Sequence, residues 1–345
     1  MVHLGGNPFG IATTSDGRWS FVDELGGRVA VFSDGGFTPR AVGTIGVPGS
    51  ALGNSLTRNG SYLLVADGGD GATVVSVARV MADAKHAVLG TLRQPGGGGA
   101  SGGGAIEVTS SPDGRYAFVS IEYGDRVAVY NLQAALTDRF RSSGYVGSVP
   151  LGRAVVGMAV SPDGRWLYAT SELAAGAPPQ GVDGTLSVIS LPEAERHPAR
   201  AVVANVAARC SPVRVVASPD GRTVWVTARE SDQLLAFSAS ELRSDPAHAL
   251  LTAVRVGEAP VGLALVAGGR EIVVADSNRF AAPGANAGLT VVDAAAALAH
   301  RPAVLGTIVA GSFPREMALE PSGRTLLVSN FGSDQLEAVA VAGSR

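Results

Sequence analysis

The chain has 345 residues, 46 of them glycine and 19 proline, and only 17 % are charged against 46 % hydrophobic. That apolar content supports a large core and excludes intrinsic disorder. The near balance of 27 basic and 30 acidic residues, with no Lys/Arg-rich run, excludes nucleic acid as a primary partner.

The single cysteine, Cys210, cannot form an internal disulfide, and no apolar run approaches the roughly 18 residues of a membrane-spanning helix, so no membrane association is expected. The N-terminus, Met1-Val2-His3-Leu4, lacks the basic and apolar regions of a secretory signal. This points to the cytoplasm, or to an exported protein whose signal peptide is absent from this sequence.

In chain order, an isolated strand over Val2 to Leu4 comes first, followed by a unit that recurs seven times. Its anchor is a tight turn: Ser15-Asp16-Gly17-Arg18, Arg58-Asn59-Gly60-Ser61, Pro112-Asp113-Gly114-Arg115, Pro162-Asp163-Gly164-Arg165, Pro219-Asp220-Gly221-Arg222, Ala267-Gly268-Gly269-Arg270 and Pro321-Ser322-Gly323-Arg324. The turn glycines are 43, 54, 50, 57, 48 and 54 residues apart. Each joins an apolar strand to a β-branched and aromatic one, as in Trp166-Leu167-Tyr168-Ala169-Thr170. A third strand follows, such as Arg126 to Tyr130, and then a fourth, such as Val88 to Leu92. Four of the longer connections between third and fourth strands read as short helices: 76–86, 132–141, 239–250 and 293–300. The seventh unit stops after its third strand, Leu336 to Val341, so the N-terminal strand is expected to complete it. The whole, residues 1–345, reads as one all-β domain: a seven-bladed β-propeller with four antiparallel strands per blade.

Pro8-Phe9-Gly10-Ile11-Ala12, Pro260-Val261-Gly262-Leu263-Ala264, Leu167-Tyr168-Ala169-Thr170 and Leu327-Val328-Ser329-Asn330 carry a further pattern. Together with the turns they resemble the repeat of the YVTN family of β-propellers, over essentially the whole chain. The resemblance implies the propeller fold and relatives that include lactonase-like hydrolases, binding proteins and propeller units of redox enzymes. Turn and core residues carry it, so it does not fix an activity.

Departures from the repeat towards charge mark the candidate site. Seven residues before the turn glycine stand Gly10, Gly53, Glu107, Gly157, Arg214, Gly262 and Glu316. The three charged residues should point into the mouth of the central channel. One position later, Asn54 is the polar exception in an apolar column, and seven residues after the glycine Glu24, Asp67, Asp276 and Asn330 occur. Asp23, Asp70, Glu122, Glu172 and Glu230 lie in the same loops.

One reading makes Glu107 and Glu316 catalytic carboxylates, with Arg214 clamping a substrate carboxylate. In it Asn54, Glu24, Glu122 and Asn330 contact the ligand, and Asp67 and Asp276 help to hold Ca²⁺ or Mg²⁺. The other makes Arg214 a structural ion pair between Glu107 and Glu316.

Other motifs are weaker. Gly99-Ala100-Ser101-Gly102-Gly103 has the spacing of a nucleophile elbow but lies in a glycine run without strand-to-helix context, and reads as a linker. Asp67-Gly68-Gly69-Asp70-Gly71 reads as a turn. Asn59-Gly60-Ser61 is a glycosylation sequon that occupies a blade turn. His86, His197, His248 and His300 fall on the face opposite the acidic rim, and Cys210 reads as a buried, inert thiol.

Two functions therefore stand side by side. The first is a propeller, expected to be monomeric, that binds a small molecule or a protein partner at the channel rim. The second is a divalent-metal-dependent, lactonase-like hydrolase, or a lyase or isomerase, working through the same carboxylates.

Overall fold

A computed structural model describes residues 1–33, 38–96, 103–176, 183–280 and 287–341. These form seven four-stranded antiparallel sheets arranged as blades. Blade three runs through Ala105–Ser110, Tyr116–Ile121, Arg126–Asn131 and Tyr145–Pro150 from the inner to the outer strand. Blade seven takes Pro314–Leu319, Thr325–Asn330 and Gln335–Ala340 from the C-terminal end, and Val2–His3 completes it by pairing Val2 with Leu336 and His3 with Gln335. The two ends of the sequence thus close the ring by hydrogen bonds and cover the edge of the last blade.

The turns form for a local reason. In blade four Ser161 Oγ donates to Asp163 Oδ1 at 2.5 Å, and the same oxygen accepts the Arg165 amide at 3.1 Å. The Ser161 hydroxyl in turn accepts the Trp166 amide at 3.0 Å, and Gly164 takes the φ of +70° that closes the hairpin. Ser111 with Asp113 and Ser218 with Asp220 repeat the set, and Asn59 does the same work in blade two by accepting the Ser61 amide. Asp163→Ala is expected to cost about 1 kcal/mol, the value of a typical net hydrogen bond. A urea midpoint unchanged by that substitution would remove the turn carboxylates from the account of stability.

The core lies between blade faces. Leu64 and Val74 of blade two pack with Val119 and Tyr130 of blade three, and Tyr168 and Leu186 of blade four with Val224 and Val226 of blade five. The longer third-to-fourth connections carry the helices Val77–Asp83, Leu132–Thr137, Glu241–Ser244 and Ala294–Leu298. A further helix, Leu191–Ala194 in blade four, was not anticipated; its Pro192 sits in the first turn, where a missing amide costs nothing. Three of the four histidines in these connections bond to acids beside them: His86 to Asp83, His197 to Glu193 and His248 to Asp245. No helix among the described residues is long and apolar enough to cross a membrane.

One irregularity shapes the channel. The pairing of inner and second strands shifts between Pro8 and Ile11, Ala105 and Glu107, Val155 and Met158, Pro212 and Val215, Pro260 and Leu263, and Pro314 and Glu316. A bulge breaks strict in-and-out alternation and re-aims side chains. Here it sits where the inner strand enters the channel mouth, and two successive positions face the channel rather than one.

Candidate active site

The first of those positions builds an apolar ring. Val156, Val213 and Val261 pack together with Ile106 and Phe313, which brings residues of blades three to seven into contact around the channel. The second builds a charged layer. Arg214 of blade five lies between Glu107 of blade three and Glu316 of blade seven: its Nε is 2.6 Å from Glu107 Oε1, and it also contacts Glu316 Oε1 directly. The Arg214 side chain is 6 % exposed, and those of Glu107 and Glu316 are 16 % and 17 % exposed.

Hydroxyls on the second strands set this layer. Ser120 Oγ accepts the Glu107 amide at 3.0 Å and donates to the Val156 carbonyl of the next blade at 2.9 Å. Thr227 does the same for the Arg214 amide and the Val261 carbonyl, and Ser329 for the Glu316 amide and the Phe9 carbonyl. The charged residues are therefore fixed to their neighbouring blades through the backbone, before their side chains meet.

Burial pushes the Glu107 carboxyl up to about 7, Arg214 works against that shift and Glu316 adds to it. Its second oxygen accepts the Met158 amide at 3.0 Å. Burial also disfavours the charge of Arg214, but the two carboxylates outweigh it and hold the guanidinium firmly protonated.

Beside this layer stands Arg315, the single charged residue in a column otherwise made of Phe9, Leu52, Ile106, Val156, Val213 and Val261. Its guanidinium carbon lies 3.6 Å from the centroid of the Phe9 ring and within 5.7 Å of those of Phe313 and Phe331. Its Nε is buried without a hydrogen-bond partner. Burial and the neighbouring charge of Arg214 push it down to about 9. Arg279 faces the rings of Phe313 and Phe280 at 5.5 and 5.4 Å, while Arg229 pairs with Glu172 at 2.8 Å. Glu122 lies in the same field: burial raises its carboxyl, Glu172 adds to the rise, and Arg315, Arg229 and Arg214 oppose it.

The structure thus brings Glu107, Arg214, Glu316 and Glu122 to one end of the channel. The remaining expected site residues stand apart. Glu24 pairs with Arg28, and Asp67 Oδ1 accepts the amides of Gly69 and Gly71. Asp276 accepts the Thr290 hydroxyl, Asn330 donates to Glu337, and Asn54 donates to the Phe21 carbonyl. A Ca²⁺ or Mg²⁺ ion would need several of these oxygens at one point. Asp67 and Asp276 lie in blades two and six, and among the described residues no three His, Cys, Asp or Glu side chains gather so as to hold a metal ion. The site as built does not fit such an ion. Ser101 lies outside the described residues. Cys210 is half-buried rather than buried: it ends the outer strand of blade four, with its sulfur 3.9 Å from Asp183 Oδ1.

Two residues, Arg315 and Arg279, escaped the sequence reading, and a third, Asp23, was placed there only among the acids of the rim loops. Arg315 had a signal, a charge in an apolar column, but alternation alone sends that column away from the channel. Arg279 had none, because it stands in a connection without repeat register. Asp23 occupies the position held by Ser120, Thr170, Thr227 and Ser329 in four other blades. It is fully buried, and burial holds its carboxyl well above the usual carboxylate range although the Asn54 side chain, hydrogen-bonded to it, opposes the shift.

The fold and this mouth can be set against known proteins. The chain is similar in structure to the Kuenenia stuttgartiensis hydrazine synthase, with a TM-score of 0.75 over 99 % of this chain and 97 % of that one, at 16 % identity. That likeness shows the fold. A comparison with curated protein sequences finds no match. The family model described as "Lactonase, 7-bladed beta-propeller" matches residues 47–281, from the start of blade two into blade six. That match spans more than half of the chain and agrees with the seven four-stranded blades, so the protein belongs to the seven-bladed β-propeller lactonase family.

Proposed function

We propose that the protein binds a small molecule carrying a carboxylate and an apolar body at the channel mouth. The observation that carries this reading is Arg315. Its guanidinium is stacked on Phe9 and carries no ion pair or hydrogen bond among the described residues. The neighbouring Arg214 is already neutralised by Glu107 and Glu316. A planar guanidinium with free N–H groups at an aromatic wall accepts a carboxylate in bidentate fashion, and the valine ring beside it accepts the apolar remainder.

Benzoate and hexanoate, each compared with its neutral amide, test the reading by calorimetric titration. The acids should bind and the amides should not. Arg315→Gln should weaken the acids about tenfold or more, since a hydrogen bond to a charged group contributes about 1.5–3 kcal/mol. Equal binding of acid and amide, or an Arg315→Gln protein that binds as tightly as the parent, would sink it.

A second reading, lactonase-like hydrolysis, is favoured by Glu107 alone. A carboxyl pushed up to about 7 is poised to take a proton from an attacking water near neutral pH. Under that reading Glu107→Gln removes turnover of a carboxylated lactone while the protein still binds benzoate.

A further inference from the structure

The outer wall of the ring carries a feature unrelated to the channel mouth. In blades one, two and three the outer strand skips one residue in its pairing and then sets a glycine against the third strand: Gly43 opposite Val31, Gly90 opposite Val74 and Gly147 opposite Val129. The connection of the next blade lies against each of these outer strands. At Gly90 it delivers the ring of Phe140, which a β-carbon on that residue would overlap, and at Gly147 it delivers Pro198, whose Cγ is 3.1 Å from where such a carbon would stand. A glycine inside a strand often marks a close approach of this kind, and here it admits a ring.

Blade one repeats the local sequence, Val42-Gly43-Thr44-Ile45 against Leu89-Gly90-Thr91-Leu92, but not the ring. Among the described residues no atom lies within 4 Å of a β-carbon placed on Gly43. The stretch after the helix Val77–Asp83 supplies Lys85 and His86 where blade three supplies Phe140; both are exposed, and His86 is bonded to Asp83. What remains is an open slot of about 190 Å³, walled by Trp19, Val31, Val42, Val80 and Met81. Val31 and Val80 belong to the core between blades one and two, so the slot continues that core outwards. Val42 and Met81 at its lip are 49 % and 39 % exposed.

The seat that Phe140 fills in blade two is therefore formed in blade one and left open. An apolar cavity of roughly 150 Å³ stays dry and takes up benzene, so the slot has the size for one ring with a small substituent. The Met81 thioether and the Trp19 indole favour an aromatic ring over an aliphatic one of equal size. The lining carries no charged side chain, so a carboxylate or amide on the ring would go without a partner. We propose that the slot between the outer strand of blade one, Arg40–Gly46, and the helix Val77–Asp83 of blade two binds a neutral monocyclic aromatic molecule.

The test uses the full chain with toluene as the probe, read by thermal melts and by tryptophan fluorescence, to which Trp19 contributes. A saturable response is expected, with a rise in the thermal midpoint of about 1–3 °C. Gly43→Leu places a side chain in the open seat and should abolish it. Because a strand substitution could impair folding, Met81→Trp serves as a second variant that fills the slot from the helix side. Met81 is partly exposed, so this change leaves the core intact, and it too should abolish the response. Arg315→Gln should leave the response unchanged, and benzoate and benzamide should not displace toluene, which separates the slot from the channel mouth. Absence of a saturable response to toluene overturns the proposal. So does an undiminished response in either filled variant, an equal response to methylcyclohexane, or displacement of toluene by benzoate.

Discussion

Arg214→Ala is expected to destabilise the protein by about 3–5 kcal/mol, the cost of leaving buried charges without their partner. Two carboxylates are stranded rather than one, because Glu107 and Glu316 reach the same guanidinium from blades three and seven. At roughly 2 °C per kcal/mol for a chain of this size, the thermal midpoint should fall by about 6–10 °C. The charge, and not the volume of the side chain, carries the effect. Arg214→Met should therefore be nearly as damaging, whereas Arg214→Met combined with Glu107→Gln and Glu316→Gln should recover most of the loss, since neutral groups leave no charge uncompensated. Guanidinium titrations followed by the fluorescence of the buried Trp225 would measure all three proteins. A loss below about 1 kcal/mol for Arg214→Ala would show that water, and not Arg214, compensates the two carboxylates.

That triad was legible in the sequence, and so was the ring that holds it. Each blade turn is specified by residues within five positions of one another, such as Ser161, Asp163 and Gly164, so its recurrence can be counted without knowing any tertiary contact. Glu107, Arg214 and Glu316 were visible because a glycine column admits charge only where the side chain has somewhere to go.

The acids at Glu24, Asp67 and Asp276 stand apart from that triad for a geometric reason. Equivalent positions in a ring lie at equal heights but in different blade seams, and each acid there found a local partner of its own. Arg315 was hidden by the bulge at Pro314 to Glu316, which turns two consecutive residues to the channel where a regular strand turns one. Asp23 reads as one of several acids near the rim, but it lies inside the strand Trp19–Glu24, in the column that holds the hydroxyls of Ser120, Thr170, Thr227 and Ser329 in four other blades.

Stability should fall as pH rises from about 4.5 to about 7.5. Glu107 ordinarily titrates at 4.5 and is pushed up to about 7 in the folded protein. Between those values the folded state holds a proton that the unfolded state has released, so the slope of unfolding free energy against pH is negative. The stability is fully present below 4.5 and is lost as pH passes through 7, with a total on the order of 3 kcal/mol from this group. Asp276, raised from 3.8 to about 6, adds to the same trend, and buried Asp23 shares its sign. The turn residues Asp163 and Asp220 oppose it only at low pH. Although burial works against Asp163, hydrogen bonds from Ser161 and the Arg165 amide win, and for Asp220 the Ser218 hydroxyl is the largest cause, so both titrate below their ordinary values. Their contribution is therefore lost as the medium becomes acidic, and the stability maximum should lie near pH 4–6.

Urea midpoints measured from pH 4 to 8 would trace the curve, and Glu107→Gln should flatten its upper half. The same proton reaches the proposed ligand. With Glu107 neutral, the field at Arg315 is more positive, so a carboxylate should bind more tightly at pH 6 than at pH 8. A benzoate affinity that keeps its full pH dependence in Glu107→Gln would place the responsible group elsewhere, with Glu122, raised by burial in the same cluster, as the next to test.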